Sequence, residues 1–471
     1  MNRLCHFVSA GVILIAEGYR LAAETNQARV NVDAAQIVRT VDARLFGLNT
    51  ATWDSYLDSA GTVFALRELD AQALRFPGGS LSDEYHWMSN TIGTNGRRCP
   101  TSFSNFVHVA TNINAQVFIT VNYGSGSPEE AAAWVRQANI TNRCGFKYWE
   151  IGNENFGFWE HDENSPPHDP LTYATRAKEY FSRMKAADPA IKIGVVVTAD
   201  DSGWTPKMLA RLKDLGVTPN FVIDHLYAEN PGSENDARLL QSAFQWTADA
   251  AKLRRELKTC FGGASTNVEL ICTENNSVSE QTGKQTTSLV NALYLADSWG
   301  RIAQTEFNSF LWWDLRNAQD RKSNNSKALY GWRPYGDHGI MSGNDTRYPT
   351  FYAFKVLKYF ARGGDRIVRA TSDNKLLSVY AARRADGTMS LLAINKGPRA
   401  TLKASFSIAG FRPESAATIY SYGIPQDEAA RTGTGWEDIA QTSFVGAAAE
   451  FACAFSPYSV TVIALSPLRA K

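Results

Sequence analysis

From Leu45 to Phe360 short apolar runs alternate with longer stretches in which apolar residues recur every three or four positions. That rhythm is strand followed by helix, repeated. The predicted strands are Leu45–Leu48, Ala73–Phe76, Gln116–Asn122, Lys147–Gly152, Ile191–Val197, Asn220–Tyr227, Val268–Thr273 and Asn308–Trp313. Helices are predicted over Pro128–Ala138, where Ser127 caps and Pro128 suits the first turn, and over Pro170–Ala187, where Tyr173, Ala177, Tyr180 and Met184 form one stripe. Two more are predicted over Arg238–Leu257 and Thr350–Ala361, the latter stopped by Gly363-Gly364. Eight strands with intervening helices predict an α/β protein with a closed (β/α)8 TIM barrel over residues 42–361, an open doubly wound sheet being the alternative.

Beyond Gly364 the pattern changes to period two. Leu376–Arg384 and Met389–Asn395 flank Ala385-Asp386-Gly387, an Asp-Gly hairpin signal, and Ala417–Tyr422 and Ser459–Leu465 continue the alternation. A C-terminal β-sandwich domain over residues 365–471 is predicted, with residues 28–41 adding a strand.

Composition narrows the partner. The 471 residues are 44% hydrophobic and 20% charged, enough for a large core. Lys plus Arg (48) nearly cancels Asp plus Glu (47), so neither nucleic acid nor an acidic membrane surface is expected, and a neutral substrate fits better. The 12 Trp and 18 Tyr residues supply flat faces on which sugar rings can stack, beyond those that fill the core. Arg3, the apolar stretch Phe7–Ala16 and the small residues of Leu21-Ala22-Ala23 match a secretory signal peptide over residues 1–23, which predicts a secreted or periplasmic protein. Without Cys5 the cysteines are Cys99, Cys144, Cys260, Cys272 and Cys453, an odd set that allows one or two disulfides without a readable framework. No CxxC pair or close His/Cys cluster occurs, so neither a metal nor another cofactor is expected.

In a parallel barrel, reactive groups gather at the C-terminal ends of the strands. The fourth strand runs Tyr148-Trp149-Glu150-Ile151-Gly152-Asn153-Glu154, and the seventh runs Leu270-Ile271-Cys272-Thr273-Glu274. Period-two alternation puts Glu150, Gly152 and Glu154 on one face, and Leu270, Cys272 and Glu274 on one face. If both faces line the lumen, Glu154 and Glu274 converge, and two carboxylates about 5 to 5.5 Å apart form the pair of a retaining glycosidase. Glu150, one layer deeper, suits a buried ion pair, and Cys272 a packed free thiol beneath Glu274.

Supporting groups sit nearby. Arg75 ends the second strand, where a lumen-facing guanidinium would favour the charged form of Glu274. His225 and Tyr227 share a face of the sixth strand, and Tyr227 would donate to Glu274. The amide of Asn153 would bind the sugar hydroxyl beside the reacting carbon. Trp312-Trp313 ends the eighth strand as a stacking platform, one ring facing substrate and the other the helices.

These motifs resemble the clan of (β/α)8 retaining glycosidases with an Asn-Glu acid/base on strand four and a glutamate nucleophile on strand seven. Within it the chain is most similar to family 51, the α-L-arabinofuranosidases and related endoglucanases. The similarity lies in Leu74-Arg75-Phe76-Pro77-Gly78-Gly79, Val121-Asn122-Tyr123-Gly124-Ser125-Gly126, Trp149-Glu150-Ile151-Gly152-Asn153-Glu154, His225-Leu226-Tyr227 and Thr273-Glu274-Asn275. It implies Glu154 as acid/base, Glu274 as nucleophile, supporting roles for Arg75, Asn153, His225 and Tyr227, a C-terminal sandwich, and arabinose release from hemicellulose or arabinan. One position departs from the pattern: where arabinofuranosidases of the family carry a furanose-binding glutamate at the end of strand one, this chain has Asn49 and, further on, Trp53. An endo-β-1,4-glucanase or xylanase with Trp53, Trp87, Trp159 and Trp312 as sugar platforms is therefore the alternative. A catalytically silent carbohydrate-binding protein is the reading from another class.

Overall fold

The computed structural model describes residues 26–468, so the leader-like residues 1–23 lie outside the described part. Eight parallel strands form the inner ring: Gly47–Asn49, Ala73–Phe76, Gln116–Val121, Tyr148–Ile151, Lys192–Val196, Phe221–Tyr227, Glu269–Asn276 and Leu311–Trp312, numbered 1 to 8 below. Neighbouring strands pair in sequence order, and the ring closes between strands 7 and 8, where Asn308 N–H reaches Leu270 O at 2.9 Å and Trp313 N–H reaches Asn275 O at 3.1 Å. The chain has the predicted (β/α)8 barrel. Pro170–Ala187 and Pro128–Val135 form helices as expected, the second continuing as a wider π-helical turn over Arg136–Thr141. The single helix expected over Arg238–Leu257 is instead broken into Asp236–Leu239, a short turn at Ser242–Phe244 and Gln245–Phe261.

Layers of side chains fill the lumen. At the bottom Phe118, Tyr148 and Phe221 pack ring against ring, while Glu269 receives Arg44 at 2.8 Å and also pairs with Lys192. The middle layer is polar and closed: Arg75 and Glu150, both fully buried, pair at 2.8 Å, and Thr120 donates to Glu150 at 2.9 Å.

The second domain is a nine-stranded sheet. Gln27–Thr40 lies inside it, antiparallel to Arg366–Ser372 and parallel to Leu402–Ala409, so the first described strand is stitched to the C-terminal part of the chain. Its core includes Val30, Val32, Leu391, Phe406, Phe451 and Ile463. An unforeseen helix, Ile424–Thr432, interrupts the strand succession where Pro425 suits a first turn. Helix Leu289–Ile302 is buried nearly all round because it is covered by the barrel on one side and this sheet on the other, and Asp297 on it bonds Tyr380 at 2.7 Å and Lys396 at 3.2 Å.

Cys99, Cys144, Cys260, Cys272 and Cys453 are all free thiols, so neither of the one or two disulfides that the sequence allows forms among the described residues, and Cys272 is the free thiol expected.

Candidate active site

Strand 4 ends at Ile151, so Glu154 does not reach the lumen by simple alternation. It is brought there by a turn through Gly152 (φ 71°) and by its own left-handed backbone (φ 39°). A Cβ on residue 152 would lie 2.0 Å from the Asn155 amide oxygen, so only glycine fits. Asp83 staples this turn: its carboxylate accepts from the N–H groups of Tyr123 and Asn153, each at 3.1 Å, and from the Asn155 amide at 2.8 Å.

Strand 7 corrects a face assignment. Cys272 pairs with Asp224 and Glu274 with His225, so Thr273 is an extra residue that reverses the alternation. Cys272 therefore shares the outer face with Asp224 instead of lying beneath Glu274, and the bulge turns Glu274 into the lumen beside His225.

Glu274 Oε1 accepts from Arg75 Nη1 at 2.6 Å and its Oε2 from the Tyr227 hydroxyl at 2.5 Å. Glu154 Oε1 lies 2.7 Å from His225 Nδ1, and its Oε2 accepts from Trp159 Nε1 at 3.0 Å. His225 Nε2 meets Thr273 Oγ1 at 3.0 Å. Ligand atoms of Glu154, His225 and Glu274 all lie within 4.8 Å of one another, a spacing compatible with the retaining carboxylate pair. It would also suit a cation, but the Arg75 guanidinium already occupies one oxygen of Glu274 and places a positive charge beside it, which opposes a second cation there.

Charges inside the cluster are tuned by contact. Burial works against an ionised Glu154, but the His225 contact, with Trp159 and Arg75, outweighs it and holds the carboxyl below its usual range. Burial likewise opposes charge on His225, yet Glu274 and Glu154 raise its pKa. Both shifts favour the same charge arrangement, Glu154 as a carboxylate and His225 as its proton-bearing partner. Burial, then the charges of Glu274 and Glu154, push the Tyr227 phenol well up, so it stays a donor.

Several expected substrate contacts are spoken for. Asn49 is fully buried: Nδ2 donates to Thr273 O at 2.7 Å, and Oδ1 accepts from Arg75 at 3.2 Å. It stands in the middle layer and cannot replace a furanose-binding glutamate. Asn153 is also buried, its Oδ1 accepting from Arg75 Nη2 at 2.8 Å and its Nδ2 donating to Glu160 at 2.9 Å. Trp312 is not a sugar platform. It pairs with Leu48, faces the helices and packs near Tyr294 and Phe310. Trp313 is the ring that faces the mouth, seated on Gly79, where an added Cβ would come within 2.6 Å of it, and edge-on to the half-buried Trp53 at 6.0 Å. Trp87 stacks on Trp134 at 6.0 Å and donates to Glu130 O, so it belongs to packing, and the row of four tryptophan platforms does not form. Trp159, 53% exposed, was expected only as a remote platform but touches Glu154 itself. Glu160 and Asp83 were missed altogether; Glu160 follows Glu154 by six positions, in a loop too short to leave the mouth.

No family profile matches the chain as a whole. α-L-Arabinofuranosidase C of Emericella nidulans is 24% identical over 30% of this chain and 32% of its own length. The intracellular exo-α-L-arabinofuranosidase of Bacteroides ovatus is 31% identical over 31% of this chain and 34% of its own. The chain therefore aligns with about a third of the length of these curated relatives. The crystal structure of the Thermotoga maritima α-L-arabinofuranosidase in its arabinose complex superposes with a TM-score of 0.74 at 18% identity, covering 93% of this chain and 99% of that one. A bifunctional glucanase-xylanase from a metagenome library, CelM2, superposes at 0.67 with 14% identity, covering 94% and 99%. The resemblance to family 51 carried by the motifs is thus matched by a barrel-plus-sandwich fold shared with its solved arabinofuranosidases from end to end of the described chain.

Proposed function

We propose that the chain is a retaining glycoside hydrolase of plant cell-wall polysaccharide, an exo-acting α-L-arabinofuranosidase with Glu274 as nucleophile and Glu154 as acid/base. The observation that carries this reading is the pair of opposed, differently supported carboxylates: Glu274 gripped by Arg75 and Tyr227, and Glu154 joined to a proton-holding His225. Glu274 attacks the anomeric carbon while Glu154, receiving the proton held on His225, protonates the departing glycosidic oxygen. A covalent glycosyl-enzyme and the free aglycone result. Glu154, now a carboxylate, then takes a proton from water, whose oxygen displaces Glu274 from the sugar, and the configuration is retained. Asn49, Asn153 and Arg75 act behind these two groups rather than on the sugar.

Exo action is supported by the missing tryptophan row and by the name of the Bacteroides ovatus relative, an exo-α-L-arabinofuranosidase. An endo-β-glycanase remains the second reading because strand 1 offers no glutamate to a furanose and the fold is shared with a glucanase-xylanase. A silent binding protein has no use for the paired carboxylates and a proton-bearing His225 beside them. The pattern at residues 1–23 supports export, which would place the enzyme where such polymers are met. Product analysis on arabinoxylan, arabinan, xylan and carboxymethylcellulose tests the reading: arabinose alone supports it, a ladder of oligosaccharides supports the endo reading, and no product from any of them refutes both.

A further inference from the structure

We propose that Glu160 is a positioning residue that works as a neutral carboxylic acid, fixing the Asn153 amide so that Asn153 in turn holds the Arg75 guanidinium against Glu274. The inference rests on the glycosidase reading above. Glu160 is only 4% exposed and ends the tight loop that begins at Glu154, its N–H donating to Gly157 O at 3.1 Å. Its Oε1 accepts twice, from Ser80 Oγ at 2.8 Å and from Asn153 Nδ2 at 2.9 Å. Its Oε2 is enclosed and has no protein partner. The charged groups that bear on it are Asp83 from the turn after strand 2 and Glu154 from its own loop, both acidic.

An ionised Glu160 would leave one bare anionic oxygen enclosed beside two other carboxylates, with no cation to meet it. A neutral acid leaves instead a carbonyl oxygen whose two acceptor sites are both used, and a hydroxyl. Burial first, then Asp83 and Glu154, push the Glu160 carboxyl up to about 9. Asp83 is also raised by burial, but only to about 7, because its backbone and amide donors offset the cost. Asp83 has three N–H donors to meet a charge, whereas one oxygen of Glu160 has none, so Glu160 is the better keeper of a proton.

The consequence is an orientation. Because Glu160 Oε1 only accepts, it fixes the Asn153 amide with Nδ2 toward Glu160 and Oδ1 toward Arg75 Nη2, at 2.8 Å. A flipped amide would set oxygen against oxygen and NH2 against guanidinium. Asn153 thereby completes the shell of Arg75, whose other nitrogens hold Glu150 at 2.8 Å and Glu274 at 2.6 Å.

Glutamine copies the neutral acid but not the carboxylate, so Glu160→Gln and Glu160→Ala separate the possibilities. On whichever substrate the wild type cleaves, Glu160→Gln is expected to stay within about threefold of wild-type kcat at pH 7, and Glu160→Ala to lose about tenfold or more in kcat with KM little changed. The ratio of Glu160→Gln to wild-type kcat should rise with pH above about 9, where only the wild type gains a charge. A flat ratio, or Glu160→Ala at the wild-type rate, overturns the proposal. An infrared difference spectrum at pH 7, wild type minus Glu160→Gln, tests it without turnover: other buried acids such as Asp224 are common to both proteins and cancel, so the carbonyl band of one protonated carboxyl should remain, and a difference spectrum without it overturns the proposal. A wild type inactive on every glycoside would defeat the glycosidase reading while leaving that band to be seen.

Discussion

His225 Nδ1 stands 2.7 Å from Oε1 of Glu154 and 3.7 Å from Oε2 of Glu274, so one imidazole faces both carboxylates of the candidate site. Only 5% of its side chain is exposed, and its second nitrogen is tied to Thr273. Both ring nitrogens are therefore engaged within the site, and the ring is held between the two carboxylates.

That contact predicts a pH effect. Two opposing charges raise the His225 pKa above its usual value, so the pair loses its proton above the ordinary histidine range, and the alkaline limb of kcat/KM should lie there. His225→Ala leaves Glu154 to hold the proton as a lone carboxyl, and the alkaline limb should move to lower pH. An unchanged limb in the pH–rate profile would remove His225 from the proton path.

Glu274→Ala should lose at least about a thousandfold in turnover on every substrate, because no glycosyl-enzyme can form. Added azide should restore part of the rate and give a glycosyl azide of inverted configuration, identifiable by NMR. Near wild-type turnover would sink the nucleophile assignment.

Glu154→Ala should behave differently, since a general acid matters most for poor leaving groups. Cleavage of natural glycosides should nearly vanish, while substrates with activated aryl leaving groups should still show a burst of released phenol as the intermediate accumulates. Equal losses on both kinds of substrate would argue against an acid/base role.

The barrel was legible because each inner strand is a short, mostly apolar run, and strand ends point to chemistry in any parallel barrel. The faces were less so. Unbroken alternation would put Cys272 on the face of Glu274, but the bulge at Thr273 reverses it and turns Cys272 to the outer side. A bulge adds one residue without a composition signal, since Thr273 is an ordinary strand residue. Trp312 and Trp313 could not be told apart without the register of strand 8, which Leu48 supplies. Asn49 looks free for substrate in the sequence because its partners, Arg75 on the neighbouring strand 2 and Thr273 on strand 7, lie 26 and 224 residues away along the chain. Glu160 lies beyond any strand end, where no periodicity applies.

Trp53 separates the two substrate readings. Its ring is half-buried and edge-on to Trp313 at 6.0 Å, so in the exo reading both line one wall of the reacting pocket. Trp53→Ala should then cost on the order of 1 to 3 kcal/mol, as the loss of other stacking contacts does. The loss should be the same for aryl arabinofuranosides and polymers when kcat/KM is compared. A loss confined to polymers would favour the endo reading.

The buried acids Asp224, on the outer face of strand 6, and Asp249, on the helix Gln245–Phe261, play no part in the chemistry above. Asp224 is 3% exposed with Oδ2 unpartnered, and burial, with Asp249 and Asp200 nearby, raises its pKa well above normal. Asp249 is pushed up to about 6 by burial, against the Gln245 hydrogen bond and the Lys252 charge. A carboxyl whose folded pKa is raised stabilises the fold most below its unfolded pKa, and that contribution is lost as pH rises through the folded value. The wild type should therefore lose stability from about pH 4 through about 6 and beyond. Asp224→Asn cannot ionise, so the variant should gain on the order of 1 to 3 kcal/mol over the wild type at alkaline pH. At pH 4 both acids of the wild type carry protons, and the two proteins should unfold at similar temperatures. Thermal unfolding across this range is the check. A variant destabilised by the same amount at every pH would mean that the loss comes from packing or hydrogen bonding rather than from the charge on Asp224.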